Sequence, residues 1–180
     1  GTKARVVAAD VTAHRASEDE MVDALGWASD QLVKAGITSV HDVGSFPFPR
    51  SLRAYRRASQ PAQDKQRIFA PRVHVAVAYT GMSAYYGELD VVPRLAAAGM
   101  QTGAGDDRVR LGILKMWQDG SLQGHSGAIC DPYHDLPDET GMTLMSQETF
   151  DRVVSQAADA GIQVGTHGNG DRAIDSILDA

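Results

Sequence analysis

The sequence predicts an α/β fold in which parallel β-strands alternate with helices. Four segments of strand length are separated by segments whose apolar residues recur at helical spacing. Each strand segment is apolar on both faces, as expected for a parallel sheet covered by helices. The chain has 180 residues, of which 43% are hydrophobic and 22% charged, and this composition is typical of one globular domain.

The first half of the chain contains two predicted helix–strand pairs. Ser17 and Glu20 form the pattern of a capping box, and apolar residues at helical spacing continue until Gly36 ends the first helix. The next predicted elements are a strand, a helix and a strand at residues 37–43, 51–58 and 72–79.

The second half repeats this pattern, with predicted strands at residues 109–117 and 162–167. A long loop rich in Gly and Asp, residues 118–145, follows the first of these strands, and Gly161 ends the helix that precedes the second. The predicted N-caps of the three helices in this half are Asp90, Ser146 and Asp171.

The strand ends decide between two parallel architectures, a doubly wound sheet and part of a (β/α)8 barrel. No G-x-G-x-x-G motif of a dinucleotide site follows a strand. Polar residues lie at or near the carboxyl ends of the predicted strands, where barrel enzymes carry their active sites. These residues are His41, Asp42, Tyr79, Thr80, Lys115 and His167. The sequence therefore predicts part of a barrel. A complete one needs about 250 residues, so residues 1–180 are expected to form one fragment without the first and last strands.

Charge and composition exclude several classes of partner. The net charge is −6 and the basic residues are scattered, so we expect no binding to nucleic acid. No apolar segment approaches the roughly 18 residues of a membrane span, and no signal segment opens the chain. A single cysteine, Cys130, cannot form an internal disulfide, which favours a reducing compartment. We expect a cytoplasmic protein that acts on a small molecule.

Lys115 lies in the segment LKMWQDGS, residues 114–121, which otherwise resembles a buried strand. Burying an unpaired ammonium is costly. The lysine therefore either extends to solvent at the strand end, pairs with Asp119 or Asp171, or is chemically changed into a species that is no longer a cation. A carbamate formed with carbon dioxide would be such a species, because it is an anionic oxygen ligand that can bridge two divalent ions.

His167 ends the next predicted strand after that of Lys115. Neighbouring parallel strands lie roughly 4.8 Å apart, so both side chains can reach a common point at the carboxyl edge of the sheet. A neutral imidazole is a good zinc ligand. The alternative for His167 alone is a hydrogen-bonded core or loop histidine.

Three blocks of the sequence resemble consecutive blocks of amidohydrolase family 3, which includes the N-substituted formamide deformylases. They are GITSVHDVG, LKMWQDGSLQGHSGAICDPYHD and the C-terminal segment, residues 36–44, 114–135 and 140–180. The most specific signals are K-x-x-x-D-G and, at the end of the next strand, H-x-x-G-D-R-A. The resemblance implies a metal-dependent (β/α)8 barrel of which this chain supplies the second to fifth strands. It also implies that Lys115 is a carbamylated bridging ligand and His167 an imidazole ligand of one or two divalent ions, expected to be zinc.

Other ligands of that family are missing from the sequence. No histidine has another two residues away, so the H-x-H pair of the first strand is absent. The sixth-strand histidine and the eighth-strand aspartate would follow Ala180. Two protein ligands are fewer than the three of a catalytic zinc, so the chain alone is expected to bind metal weakly and to be inactive. An arc of strands leaves two open edges, and we expect it to associate with a second copy or with the rest of the barrel.

Four further residues are candidates for the active-site rim: His41, Asp42, Asp119 and Asp171. Each also has a structural interpretation. His41 fits a hydrogen-bonded strand-end histidine, Asp42 an acceptor for loop amides, Asp119 a turn residue and Asp171 a helix cap that also holds the His167 loop. The long loop at 118–145 has a length typical of substrate lids.

For the intact protein, these observations predict hydrolysis of a C–N bond in an amide, a formamide or a cyclic amide. The alternative is a non-catalytic βα fragment or a metal-free scaffold that binds a small molecule.

Overall fold

A computed structural model describes residues 16–43, 49–60, 69–79 and 91–180. Its strands are Ser39–Asp42 (β1), Arg72–Tyr79 (β2), Val109–Trp117 (β3) and Val164–His167 (β4). Its helices are Glu18–Lys34 (α1), Arg50–Ser59 (α2), Val91–Ala97 (α3), Gln147–Asp159 (α4) and Asp171–Leu178 (α5). Among these ranges, no helix combines the length and the apolar character needed to cross a lipid bilayer.

The four strands form one sheet in the order β1–β2–β3–β4, and every neighbouring pair is parallel. In a doubly wound sheet the strand order changes direction at one point. In a barrel, each strand pairs with the next strand along the chain, as observed here. The strands form a curled half-barrel and alternate with helices along the chain. The predicted fold class is therefore confirmed.

Three helices end in the same way. A glycine with positive φ follows the helix, and the next amide donates a hydrogen bond to the carbonyl five residues earlier, which is the Schellman pattern. The glycines are Gly36, Gly99 and Gly161, with φ of 76°, 64° and 66°. The bonds join Ile37 to Leu32, Met100 to Leu95 and Ile162 to Ala157. Because residues 37 and 162 take part in helix termination, β1 and β4 each begin two residues later than predicted.

The predicted helix starts are confirmed at two positions and wrong at one. The Ser17–Glu20 capping box is present, and the Ser146 side chain accepts from the Thr149 amide. Asp171, however, is the first residue of α5 and not its N-cap. The N-cap is Gly170. No side chain fits at this position, because a Cβ would collide with the backbone of Ala128. The predicted cap Asp90 and the strand-end residue Thr80 lie outside the described residues.

The apolar core lies between the sheet and the helices. Leu114 and Met116 of β3 are fully buried against a cluster that includes Phe150 and Val153 of α4. A second cluster covers the start of the sheet with residues of α2, β2 and β3, and includes Leu52, Tyr55, Phe69, Val73, Val75 and Val109. We call this side of the sheet the helix face.

The opposite side, the open face, carries most of the polar strand residues. Its members follow from the register, because residues paired across parallel strands point the same way and successive residues alternate. They include His41, His74, Ala78, Arg110, Lys115, Trp117, Gly165 and His167.

The register between β2 and β3 shifts once. Val75 pairs with Leu111 and Val77 with Leu114, so two residues of β3, Gly112 and Ile113, lie opposite one residue of β2. A Cβ added to Gly112 would lie 3.3 Å from the backbone carbon of Val75. Glycine therefore allows the close approach of the two backbones at this bulge.

Candidate active site

Lys115 and His167 lie on the same face of the sheet. Lys115 pairs with Gly165, and Trp117 pairs with His167 on the neighbouring strand. Since residues two apart on a strand share a face, Lys115, Trp117, Gly165 and His167 all belong to the open face. Both candidate ligands therefore stand at the carboxyl ends of adjacent strands, on the side of the sheet that faces away from the helices.

Among the described residues, Lys115 has an aromatic neighbour and no carboxylate partner. Its amine lies 4.7 Å from the centre of the Trp117 ring, a cation–π contact. Within the described ranges it makes no ion pair, so the predicted pairing with Asp119 or Asp171 is not seen there. The side chain is half-buried, and this burial lowers the pKa of the amine. The neutral amine is consequently easier to form here than on an exposed lysine.

The carboxylate of Asp119 joins three segments of the chain. It is fully buried and accepts hydrogen bonds from the amides of Ala128, Asn169 and Gly170 at 2.9, 3.0 and 2.8 Å. It thereby fixes the end of β3, the long loop and the turn between β4 and α5 relative to one another. Asp119 also lies 3.6 Å from Nε2 of His167.

The ring of His167 is oriented by oxygen atoms around one of its nitrogens. Nε2 lies 3.2 Å from the carbonyl oxygen of Gly120 and 3.6 Å from Oδ1 of Asp119. The Asn169 amide nitrogen Nδ2 donates to the same Gly120 carbonyl at 2.8 Å and lies 3.1 Å from Nε2. These contacts hold the imidazole at the end of β4, with its Nε2 edge toward the turn that follows β3.

Asn169 and the Gly120 carbonyl are site residues that the sequence did not single out. Asn169 lies within the H-x-x-G-D-R-A motif, between the strand-end histidine and the helix. The signal that would have identified Asn169 is its position two residues after His167. From there its polar side chain can contact the imidazole ring. A backbone carbonyl such as that of Gly120 leaves no such signal in a sequence.

The long loop at residues 118–145 is fastened to the start of α5. The Ala128 carbonyl accepts from the Ala173 amide, and the Asp171 carboxylate accepts from the Cys130 amide at 2.8 Å. Arg172 donates to the carbonyls of Thr140 and Gly141 at 3.2 and 3.1 Å. These bonds hold the loop beside the ends of β3 and β4, and the substrate-lid role that its length suggests stays a prediction.

Asp171 contributes to the loop and not directly to the His167 turn. Its carboxylate accepts from the amides of Cys130 and Arg172, and these two hydrogen bonds lower its pKa. The group that holds the His167 turn is Asp119.

Gly170, the N-cap of α5, packs directly against the backbone of the long loop. A Cβ added there would lie 1.8 Å from the carbonyl oxygen of Ala128. We therefore expect Gly170→Ala to destabilise the fold by about 1–3 kcal/mol, as overpacking does. Urea unfolding compared with the wild type measures this loss. Gly124→Ala is a matched control, because neither glycine has positive φ and the atom nearest to a Cβ added at Gly124 is the hydroxyl oxygen of the Ser121 side chain, at 3.0 Å. Equal losses in both variants would contradict the packing explanation.

His41 and Asp42 are not brought to Lys115. His41 lies on the open face with its ring centre 4.9 Å from that of His74. His74 is four residues before Ala78, the partner of Lys115, which corresponds to roughly 13 Å along the strand. Asp42 pairs with Val75 on the helix face, where its carboxylate accepts a hydrogen bond from the Tyr55 hydroxyl at 2.9 Å. Burial of the ring, the charge of Asp42 and this bond raise the pKa of Tyr55.

The donor set in this part of the molecule fits a portion of a metal site. In the part of the chain that the structure describes, no group of three or more His, Cys, Asp or Glu side chains could hold a metal ion. Lys115 and His167 are two potential donors on one face at adjacent strand ends. Two donors of this kind are compatible with a divalent metal only if further ligands come from elsewhere.

Comparison with known proteins identifies relatives of this chain. A model of the amidohydrolase family matches residues 2–180. The putative amidohydrolase YtcJ of Bacillus subtilis is 33% identical over 72 residues, which cover 40% of this chain and 14% of that protein. The protein LONG AFTER FAR-RED 3 of Arabidopsis thaliana is 27% identical over 91% of this chain and 27% of its own length.

Two solved structures share the fold. They are uncharacterized metal-dependent hydrolases from Pyrococcus horikoshii and Pyrococcus furiosus, with TM-scores of 0.71 and 0.73 and identities of 24% and 22%. Each superposition covers 94% of this chain and 32% of the other. The chain thus spans about a third or less of the length of the relatives described here.

Proposed function

The chain belongs to the amidohydrolase family, and from this premise we propose that the intact protein is a metal-dependent hydrolase that cleaves a C–N bond in an amide, a formamide or a cyclic amide. The observation that carries the proposal is the position of Lys115 and His167 on one face of the sheet, at the ends of neighbouring strands. The metal-dependent hydrolases with the same fold support the metal requirement.

The proposal includes a tautomer for His167. Carbonyl and carboxylate oxygens only accept hydrogen bonds, and two of them lie near Nε2. In this tautomer Nε2 is protonated and donates to the Gly120 carbonyl, while Asn169 Nδ2, 3.1 Å from Nε2, donates to the same carbonyl and not to the ring. This leaves the lone pair of the neutral ring on Nδ1. A metal ligand needs that lone pair, and the hydrogen bond at the other nitrogen keeps it in place.

Lys115 is proposed to act as a carbamate. The neutral amine attacks carbon dioxide, a new N–C bond forms, and one proton is released, which leaves an anionic –NH–COO⁻ group. The lowered pKa of the half-buried amine favours the first step. The carbamate also avoids the cost of burying an unpaired ammonium, because the side chain beside the Trp117 ring is then no longer a cation. Its two oxygens are suited to hold two divalent ions.

A bound divalent ion, which we expect to be zinc, would supply polarisation of the substrate carbonyl and acidification of a water molecule. The residues of this chain have other tasks. Asp119 and Gly120 keep the His167 ring in position, and the loop at 118–145 lies beside it, joined by Asp119 to the turn after β4.

The edges of the half-barrel suggest what completes it. Among the described residues, β1 and β4 each pair on one side only. Ile174 and Leu178 of α5 are 42% and 77% exposed, which leaves apolar surface on the helix that follows β4. We propose that these surfaces associate with the remaining barrel strands or with a second copy of the chain, and that the protein is cytoplasmic.

Hydrolysis assays of the intact protein test the proposed function. The probes are 4-nitroformanilide, 4-nitroacetanilide and hydantoin, representing a formamide, an amide and a cyclic amide. We expect metal-loaded protein to hydrolyse at least one of them, a chelator to abolish turnover, and added zinc to restore it. The control is the same protein dialysed in parallel against buffer without chelator. Metal-loaded protein that hydrolyses none of the three would favour the metal-free binding scaffold instead.

A further inference from the structure

The amino-terminal half of the open face carries basic side chains. Two rows of paired residues cross it near the starts of β1, β2 and β3. The first row is Ser39 and Arg72, and the second is His41, His74 and Arg110. Residues paired across parallel strands point to the same side, and residues two apart on a strand share a face, so the two rows lie together. We call them the basic region, and it lies toward the opposite end of the strands from Lys115 and His167.

The basic region borders a cavity of about 520 Å³. The cavity is lined by Arg72, Val73, His74, Asp107, Arg108 and Arg110. Its carboxylate, Asp107, lies 3.3 Å from Nη2 of Arg110, but the Asp107 side chain is fully exposed. An ion pair that water screens in this way is weak. Three arginines therefore surround a space in which the single carboxylate among the described lining residues does little to balance their charge.

Two of these guanidinium groups keep donors that no described residue accepts. Arg72 donates through Nε to the Ser39 hydroxyl at 3.2 Å, which leaves both of its Nη atoms. Arg110 donates through Nε to the Asp106 carbonyl and through Nη2 to Asp107, which leaves its Nη1. The Asp106 carboxylate is occupied, since it accepts from two backbone amides at 2.8 Å. The two guanidinium groups can therefore bind a further acceptor.

His74 lies between His41 and Arg110 in the second row. Burial, and then the charges of His41 and Arg110, lower the pKa of its imidazole. A neighbouring carboxylate would raise this pKa. The described neighbours of His74 therefore give the region a positive charge.

In a complete barrel the open face becomes the inner face. The helices cover the outer side of the strands, so the other side turns toward the barrel axis and the strands across it. Side chains fill this interior, which is a packed core and not a pore. A charge buried there is strongly destabilising unless it is paired and hydrogen-bonded. The basic region therefore needs anions, and among the described residues that line its cavity the exposed Asp107 is the one carboxylate.

We propose that the strands that complete the barrel carry carboxylate side chains that pair with Arg72 and Arg110. A carboxylate suits the remaining donors, because a guanidinium group can donate two parallel hydrogen bonds to its two oxygens. The inference rests on the proposed completion of the barrel and not on the proposed reaction. It specifies the charge that the completing strands turn toward the barrel interior.

Thermal unfolding of the intact protein tests this pairing. Arg110→Met removes the charge but keeps a long side chain. Because removal of one partner of a buried ion pair is strongly destabilising, we expect the unfolding midpoint to fall by more than about 5 °C. Arg152→Met is the matched control, since Arg110 and Arg152 are both exposed in the described structure and Arg152 lies on the outer helix α4. Its midpoint should change by less than about 2 °C.

Four outcomes of the unfolding experiment would overturn the inference. Equal shifts in the two variants would show that Arg110 faces water, and a higher midpoint in Arg110→Met would show that apolar side chains cover it. Asp107→Ala should resemble the wild type, and a loss as large as that of Arg110→Met would make Asp107 the partner. Added phosphate that raises the midpoint of the wild type more than that of Arg110→Met would identify a free anion in place of a side chain.

Arg110→Lys identifies the partner. It keeps the charge, so its midpoint should lie closer to that of the wild type, and a carbodiimide can join its amine to a carboxylate in direct contact. Mass spectrometry of the peptides should find this amine joined to an Asp or Glu outside residues 1–180 of the same molecule. A partner within residues 1–180, a partner in a second copy, or no joined peptide overturns the inference. None of these measurements involves hydrolysis, so the proposed reaction is tested separately.

Discussion

Replacing Lys115 by alanine should lower kcat/KM of the intact protein by more than about 100-fold, because loss of a group that merely supports a metal ligand already costs 10–100-fold. The amine stands on the open face beside Trp117, with no carboxylate partner within the described residues. If it is a bridging carbamate, its removal takes away an anionic ligand of the metal. The measurement combines steady-state kinetics with metal content per chain, and both should fall together.

Three controls separate a ligand from a structural lysine. Lys34→Ala removes a lysine from the exposed end of α1 and should leave activity and metal content unchanged. Acetate or propionate should partly restore the metal content of Lys115→Ala, since a small carboxylate can stand where the carbamate was. Depletion of carbon dioxide should lower the metal content of the wild type, and bicarbonate should restore it. A Lys115→Ala protein that keeps its metal and its activity would refute the ligand role.

Replacing Asp119 by alanine should destabilise the fold by roughly 2–6 kcal/mol, because the amides of Ala128, Asn169 and Gly170 would lose their acceptor at once and each of the two buried donors, those of Ala128 and Gly170, costs about 1–3 kcal/mol when unpaired. Urea unfolding measures the total. Amide hydrogen exchange shows where in the chain the stability is lost. We expect the protection from exchange to fall first at these three amides.

Asp171→Ala is the matched control for Asp119→Ala. Asp171 also accepts two backbone amides, those of Cys130 and Arg172, but it is exposed to solvent. Water can replace its bonds, so the loss of stability should be clearly smaller. Similar losses in the two variants would show that burial of the Asp119 carboxylate adds nothing.

The sequence predicted the elements well where local signals define them. Residues 72–79 and 109–117 were predicted to the residue, because β-branched and apolar runs are bounded there by Pro, Gly and charged residues. The helix ends followed from Gly36 and Gly161. The starts of β1 and β4 were misplaced by two residues, since a Schellman ending extends past the glycine in a way that apolar periodicity does not reveal.

The site was harder to predict because its interactions join distant parts of the chain. Asp119 meets amides that lie 9, 50 and 51 positions away, and no local pattern encodes such partners. Asp42 was expected near the rim, but β1 has only four residues, too few for alternation to define which face each side chain takes. The tertiary contact with Tyr55 decides that question. Lys115 and His167 remain predicted ligands, and their shared face follows from the register.

The bulge in β3 has a consequence for how the strand can change during evolution or engineering. Val109 and Leu111 have odd numbers and lie in the core, whereas further along the core residues Leu114 and Met116 have even numbers. The extra residue at Gly112 and Ile113 therefore inverts the parity of the strand at its midpoint. If all nine residues of β3 paired regularly, without the bulge, the Lys115 side chain would point toward the helices and that of Leu114 toward the open face. Deleting one of the two residues would remove the bulge and leave Lys115 on the open face. The bulge that Gly112 allows is thus as much a requirement of the proposed site as the lysine itself.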